Sequence, residues 1–184
     1  MRARAWIGIG VAAVSMVAAA VVFQPWLLVV DVRVDDALPN AAPSAAPSAS
    51  GPAGPRDPGP VATPTAEPSP TAISGGVFTS HEHETTGSAT IIRNPDGSRV
   101  LAIENLSTSS GPDVHVWLSA SDVVEGREGW YVAGSAEFID LGPIKGNLGN
   151  QVYEIPADVD LANYRSVSLW CVQFGVSFGA AQLS

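Results

Sequence analysis

The sequence predicts an all-β domain, an antiparallel sandwich or barrel-like fold, preceded by one transmembrane helix and a disordered Pro-rich linker. Three observations carry this expectation. Residues Ala5 to Val30 form an uncharged run of 26 residues. Ten of the fifteen prolines crowd into residues 39–74. From Gly75 to Ser184, short β-type runs recur about every 8–12 residues, punctuated by Gly, Pro, Asn and Asp.

The first segment, residues 1–38, carries Arg2 and Arg4 ahead of the apolar run and Asp31, Asp35 and Asp36 behind it. A bilayer core of ~30 Å needs about 20 apolar residues of helix. A cleavable signal peptide has a shorter apolar region of about 7–15 residues ending in an A-x-A-like site. Ala18-Ala19-Ala20 supplies such a site, but the apolar run continues to Val30. An uncleaved anchor is therefore expected, with the membrane as partner of residues 5–30. Pro25 and Trp26 fall near its outer end, where a kink and an interfacial aromatic are tolerated. The leading arginines place the N-terminus in the cytoplasm and the rest of the chain outside it.

The second segment, residues 39–74, consists mainly of Pro, Ala, Ser, Thr and Gly. It lacks the apolar surface needed to offset its ordering entropy. As an extended polyproline-type stretch at ~3.1 Å per residue it could reach ~100 Å. It is expected to act as a disordered spacer, or as a stalk holding the domain clear of the membrane.

The third segment, residues 75–184, is one domain of sufficient size to hold a core without staples. Gly76 to Ser80 opens it. Gly87 to Arg93 and Arg99 to Leu106 form a hairpin about the turn Asn94-Pro95-Asp96-Gly97, with Pro at the second position and Gly at the fourth. Val114, Val116 and Leu118 face one way on the next strand, His115 and Trp117 the other. Strands at Val132 to Leu141 and Asn150 to Ile155 follow. Val167 to Phe174 and Val176 to Leu183 close the chain. Val167, Leu169 and Cys171 share one face and Trp170, Val172 and Phe174 the other, the mark of a central strand.

Composition excludes several function classes. The net charge is −9, so no basic face is available to displace counterions from nucleic acid. The single cysteine excludes an intramolecular disulfide, a CxxC redox pair and an all-cysteine zinc site. Cys-x-x-Cys-His is absent, which excludes covalent c-type haem. No histidine follows Cys171 and no methionine lies in the domain, which argues against blue copper. No nucleophile elbow, P-loop or dinucleotide glycine motif occurs, so no hydrolase, kinase or nucleotide chemistry is indicated.

Two positions remain as candidates. Cys171 is the residue with evident redox potential, through oxidation, interchain pairing or metal ligation. The alternative is packing, since free cysteines are among the most buried residues. His115 could supply an imidazole to a haem or pair with Cys171 to lower its pKa, or be a histidine satisfied within the fold. His81 and His83 share a face of His81-Glu82-His83-Glu84 and could clip a divalent metal, although no further ligands cluster nearby. Asp113, Asp158 and Asp160 sit beside Gly, Pro or turn residues and read as turn formers.

Taken together, these residues resemble the DM-thirteen domain family. Gly111-Pro112-Asp113-Val114-His115-Val116-Trp117-Leu118-Ser119 is similar to its G-P-D-x-H-V-x-L-S stretch. Leu141 to Asn147 and Gly149 to Pro156 resemble its L-G-x-[IL]-K-G and G-x-Q-x-Y-x-[IL]-P stretches. Tyr164, Ser166, Val167, Trp170, Cys171, Phe174, Val176, Phe178, Gly179 and Ala181 fit its closing pattern. Gly76-Val77-Phe78, His83, Gly87 and Ala89 match its opening. The resemblance implies a β-sandwich-type electron-transfer module, often extracellular, with the matching cysteine as redox group. It also implies haem as a cofactor only by association with cytochrome-like neighbours.

Two functions follow as expectations. One is a membrane-tethered extracytoplasmic redox module using Cys171, with His115 and Trp117 in its surroundings and a redox protein as partner. The other is a non-enzymatic binding or structural module of the cell envelope, with Cys171 as packing and loops such as Ser121 to Gly134 as the partner surface.

Overall fold

The computed structural model describes residues 30–39 and 68–184. Nine strands form one curled sheet in the order β1-β7-β4-β3-β2-β9-β8-β5-β6. They are β1 Arg33–Asp35, β2 Thr71–Ser80, β3 Thr86–Arg93, β4 Arg99–Ser107, β5 Val114–Ser119, β6 Phe138–Pro143, β7 Leu148–Ile155, β8 Ser166–Cys171 and β9 Val176–Gln182. The all-β expectation holds. The pairing is antiparallel throughout except at one edge, where β1 runs parallel to β7, so the sheet is mixed.

The long strand β2 turns the sheet on itself. Residues 71–77 pair with β3, and Phe78, Thr79 and Ser80 pair with β9. The strand can make this exchange because Gly76 lies against the backbone of Gln182, where a Cβ would collide with its carbonyl. Bulges add to the curl by increasing local twist. The register slips at Gly87 on β3 and between Ile103 and Leu106 on β4. Gly87 and Asn105 there hold positive φ, at 116° and 51°. Glycine and asparagine tolerate that conformation better than other residues.

The curl encloses one main core. Ile91, Leu101, Ile103, Val116, Leu118, Val167, Leu169 and Cys171 meet inside it, all essentially without solvent contact. Alternation delivers them: Val114, Val116 and Leu118 from β5 lie opposite Cys171, Leu169 and Val167 from β8. A second cluster lies on the other face of β3 and β4, where Ile92, Val100 and Ala102 are covered by Val152 and Leu38. The hairpin turn is as expected: Gly97 N donates to Asn94 O at 2.9 Å, with Gly97 at φ 86°.

The structure shifts four expected boundaries. Residues 71–74, assigned to the linker, are the start of β2. Residues 33–35, assigned to the anchor segment, are β1. That strand has no apolar periodicity; side chains of the domain hold it instead. Asn147 Oδ1 accepts from Val32 N at 2.7 Å and Asn147 Nδ2 donates to Asp31 at 2.8 Å. Asp36 pairs with Lys145 and accepts from Val152 N at 3.0 Å. The strand expected over Val132 to Leu141 is confined to Phe138–Pro143. Before it the chain forms two 3-10 turns, Arg127–Tyr131 and Ala133–Ser135, which cross over Trp170. Only glycine fits at 134, since a Cβ there would sit 2.5 Å from the indole. Finally, β8 ends at Cys171, and Val172 to Gly175 make a turn rather than more strand.

The transmembrane helix expected over residues 5–30 lies, apart from Val30, outside the described residues, as does the linker over 40–67. Among the described residues no helix is long and apolar enough to cross a membrane.

Gly146 tests the docking of β1. A Cβ there would meet the carbonyl of Val32, with no positive φ involved. Gly146→Ala is therefore expected to release residues 30–38 while leaving the rest of the sheet paired. Hydrogen exchange should show lost protection at Leu148 and Asp36, whose amides donate across the β1–β7 seam, and unchanged protection in β8 and β9.

Candidate functional site

Cys171 closes β8, opposite Val114 on β5 and Val176 on β9. Its side chain lies in the main core and is fully buried. The following turn folds back, with Gly175 N donating to Cys171 O at 2.8 Å and Gly175 at φ 64°. Burial pushes the thiol above its usual pKa. Backbone amides of Phe174, Gln173 and Asp113 pull in the other direction without overcoming it, and the negative charge of Asp113 adds to the rise. The thiol is thus protonated at neutral pH and shielded from bulky reagents, the opposite of an activated nucleophile.

His115 is one residue along from Val114, so its side chain leaves the opposite face of the sheet. The structure therefore does not bring His115 and Cys171 together, and the expected pairing that would lower the thiol pKa is not made. His115 instead sits between two carboxylates. Asp140 lies 2.8 Å from Nδ1 and Asp113 lies 3.1 Å from Nε2. Asp140 is itself oriented by Gly142 N at 2.8 Å. Asp113, read from sequence as a turn former, is one arm of this clamp.

This arrangement does not fit haem. Both ring nitrogens of His115 are engaged, leaving none for axial ligation. Two hollows in the described surface are small for a macrocycle: about 220 Å³ beside Glu84, Thr86 and Ser107, and about 130 Å³ beside Val32, Gly111 and Lys145. Neither is lined by His115 or Cys171.

An aromatic stack occupies the face that His115 shares. Trp117 and Phe138 are parallel within 6°, with centroids 3.7 Å apart, and Trp117 and Trp170 lie 5.0 Å apart. Trp117, Trp170 and Ala133 form a buried cluster of their own. Phe138 at its end is 40% exposed. The stack thus runs from the neighbour of Cys171 in the chain out to solvent. The indole Nε1 of Trp117 is buried without a hydrogen-bond partner. The sequence reading placed Trp117 beside the site and missed Phe138. The available signal was outward-facing tryptophan on two strands, but the pairing of Ser119 with Phe138 that completes the stack depends on the sheet order.

The remaining candidates are engaged elsewhere. His81 bonds Ser177 Oγ at 2.8 Å and Val124 O at 3.1 Å. His83 pairs with Glu82 and packs its ring on Phe178 at 3.9 Å. Among the described residues no group of three His, Cys, Asp or Glu side chains is arranged to hold a metal ion. Asp160 caps a short 3-10 turn, Leu161–Asn163, by accepting from Ala162 N. The loop from Ser121 to Gly134 exposes Val124 and Tyr131 while packing its 3-10 turns over Trp170.

A curled all-β domain with a lone cysteine at the end of an interior strand is the class this geometry defines. The family model described as Electron transfer DM13 matches residues 77–183, more than half of the chain. The chain belongs to that family. Comparisons with curated proteins and with solved structures return no match.

Two outcomes are expected. Cys171 in the folded chain should react with a bulky disulfide reagent far more slowly than in the unfolded chain, as timed absorbance at pH 8 would show. Burial also holds His81 below its ordinary pKa of 6.5, with the Val124 carbonyl opposing. The unfolded chain then binds a proton there more readily than the folded one, so stability falls as pH drops through about 6.5. His81→Gln should flatten that part of the dependence of the urea midpoint on pH.

Proposed function

We propose that this chain is a membrane-tethered electron-transfer module whose redox group is Cys171. Residues 5–30 form its uncleaved anchor, the N-terminus lies in the cytoplasm, and the β domain lies outside the cytoplasm beside a redox partner of the cell envelope. The observation that carries the reading is the position of Cys171. The chain's one thiol lies within the family match, in a dry core, and its neighbour Trp170 joins an aromatic stack that reaches the surface at Phe138.

Burial restricts the chemistry. A protonated, enclosed thiol is poorly suited to thiol–disulfide exchange, which needs an accessible thiolate. Electron transfer makes no such demand, because an electron can cross packed protein to an acceptor outside the chain. Oxidation breaks the S–H bond and leaves a neutral thiyl radical on Cys171, with one electron passing to that acceptor and one proton to bulk water. Since the proton leaves with the electron, higher pH favours oxidation. The midpoint should fall by about 59 mV per pH unit for a one-electron couple, with no break until the raised thiol pKa is passed.

A second reading has one observation in its favour. The same complete burial of Cys171 suits a packing residue, which would leave a non-enzymatic envelope module that binds partners through loops such as Ser121 to Gly134.

Voltammetry of the full chain separates them. The redox reading expects a wave with the stated pH slope, absent in folded Cys171→Ser and Cys171→Ala. An identical response in wild type and both variants, with near-UV circular dichroism unchanged, would leave the packing reading standing.

A further inference from the structure

The chain joins the folded domain at the end of the sheet that carries Cys171. Val30, the last residue of the apolar run, is already bonded there: its carbonyl accepts from Ser110 Oγ at 3.1 Å. Asn147 holds Asp31 and Val32, and β1 starts at the next residue. No free spacer therefore separates the apolar run from the fold. The Pro-rich stretch departs after residue 39 and returns by residue 68, so folded segments flank it on both sides.

The turn after β8 lies at this same end. Val172 N donates to Asp113 O at 2.9 Å. Ser110, which bonds Val30, is only three residues from Asp113, a span of at most about 11 Å. The turn presents Val172 and Phe174 to solvent, 45% and 55% exposed. We propose that this end of the domain rests on the lipid bilayer, with Val172 and Phe174 seated in the interfacial layer as a second contact beside the anchor. The proposal rests on the anchor reading given under the preceding heading. Apolar and aromatic side chains gain from burial at that depth. Asp31, Glu82, Glu84 and Asp113 lie around the same end, so attraction to anionic headgroups is not the driving force. The anchor supplies the affinity by holding the turn at high local concentration.

The test uses the full chain in phosphatidylcholine vesicles, with an environment-sensitive nitrobenzoxadiazole dye at one introduced cysteine in a Cys171→Ala background. Phe174→Cys and Val172→Cys report the proposed contact. Asp96→Cys, in the hairpin turn at the opposite end of the sheet, is the comparison. Acyl-chain nitroxide lipids should quench the dye at 174 and 172 several-fold more than at 96. A flexible Gly-Ser insert between Val30 and Asp31 should reduce that quenching. Equal, weak quenching at all three positions on protein that still floats with the vesicles would overturn the proposal and spare the anchor. Failure to float would overturn both.

Discussion

The need to bury β8 on both faces governs the structure around it. All six residues from Ser166 to Cys171 are buried. One face supplies Val167, Leu169 and Cys171 to the main core, and the other supplies Trp170 to the aromatic cluster. A strand with two dry faces needs two covers. The curl of the sheet about β2 brings β3 and β4 over the first. The 3-10 turns from Arg127 to Ser135 lie over the second, at the close approach that Gly134 permits. Polar groups caught between are satisfied in pairs, as in the bond from Ser168 Oγ to Ser177 Oγ at 3.0 Å.

That double burial sets what the cysteine can do. It holds the thiol neutral and away from reagents, and it puts the sheet between Cys171 and His115. The Asp113–His115–Asp140 clamp is therefore a separate feature on the outer face. Asp113 is the link between the two sides. Its backbone amide draws the thiol pKa down, its negative charge pushes it up, and its carboxylate holds His115. The tyrosines show the same control by burial: Tyr153, bonded to Gln151 at 2.7 Å, is pushed up to about 12 by desolvation.

Much of this fold was legible in the sequence because its period is local. The Asn94–Gly97 turn, the inward set of β5 and the central character of β8 follow from alternation and turn chemistry. The parallel strand β1 was not legible. Three residues, Arg33–Asp35, carry no apolar pattern, and the bonds that flank them, at Val32 and Asp36, reach partners more than a hundred positions away, Asn147 and Val152. For the site, alternation alone already put His115 and Cys171 on definite faces of their strands. Register between β5 and β8 was needed to show that those faces are opposite. The stacking of Phe138 on Trp117 required the order of strands across the sheet, which no local pattern encodes.

The electron-transfer role proposed above rests on one buried thiol, Cys171, and on no other group. Coulometric titration of the full chain with a one-electron mediator tests it most directly, because it counts electrons rather than inferring them. One electron removed reversibly per chain is expected, and none from Cys171→Ser of unchanged fold. The same electron count in both proteins, or none in either, would contradict it.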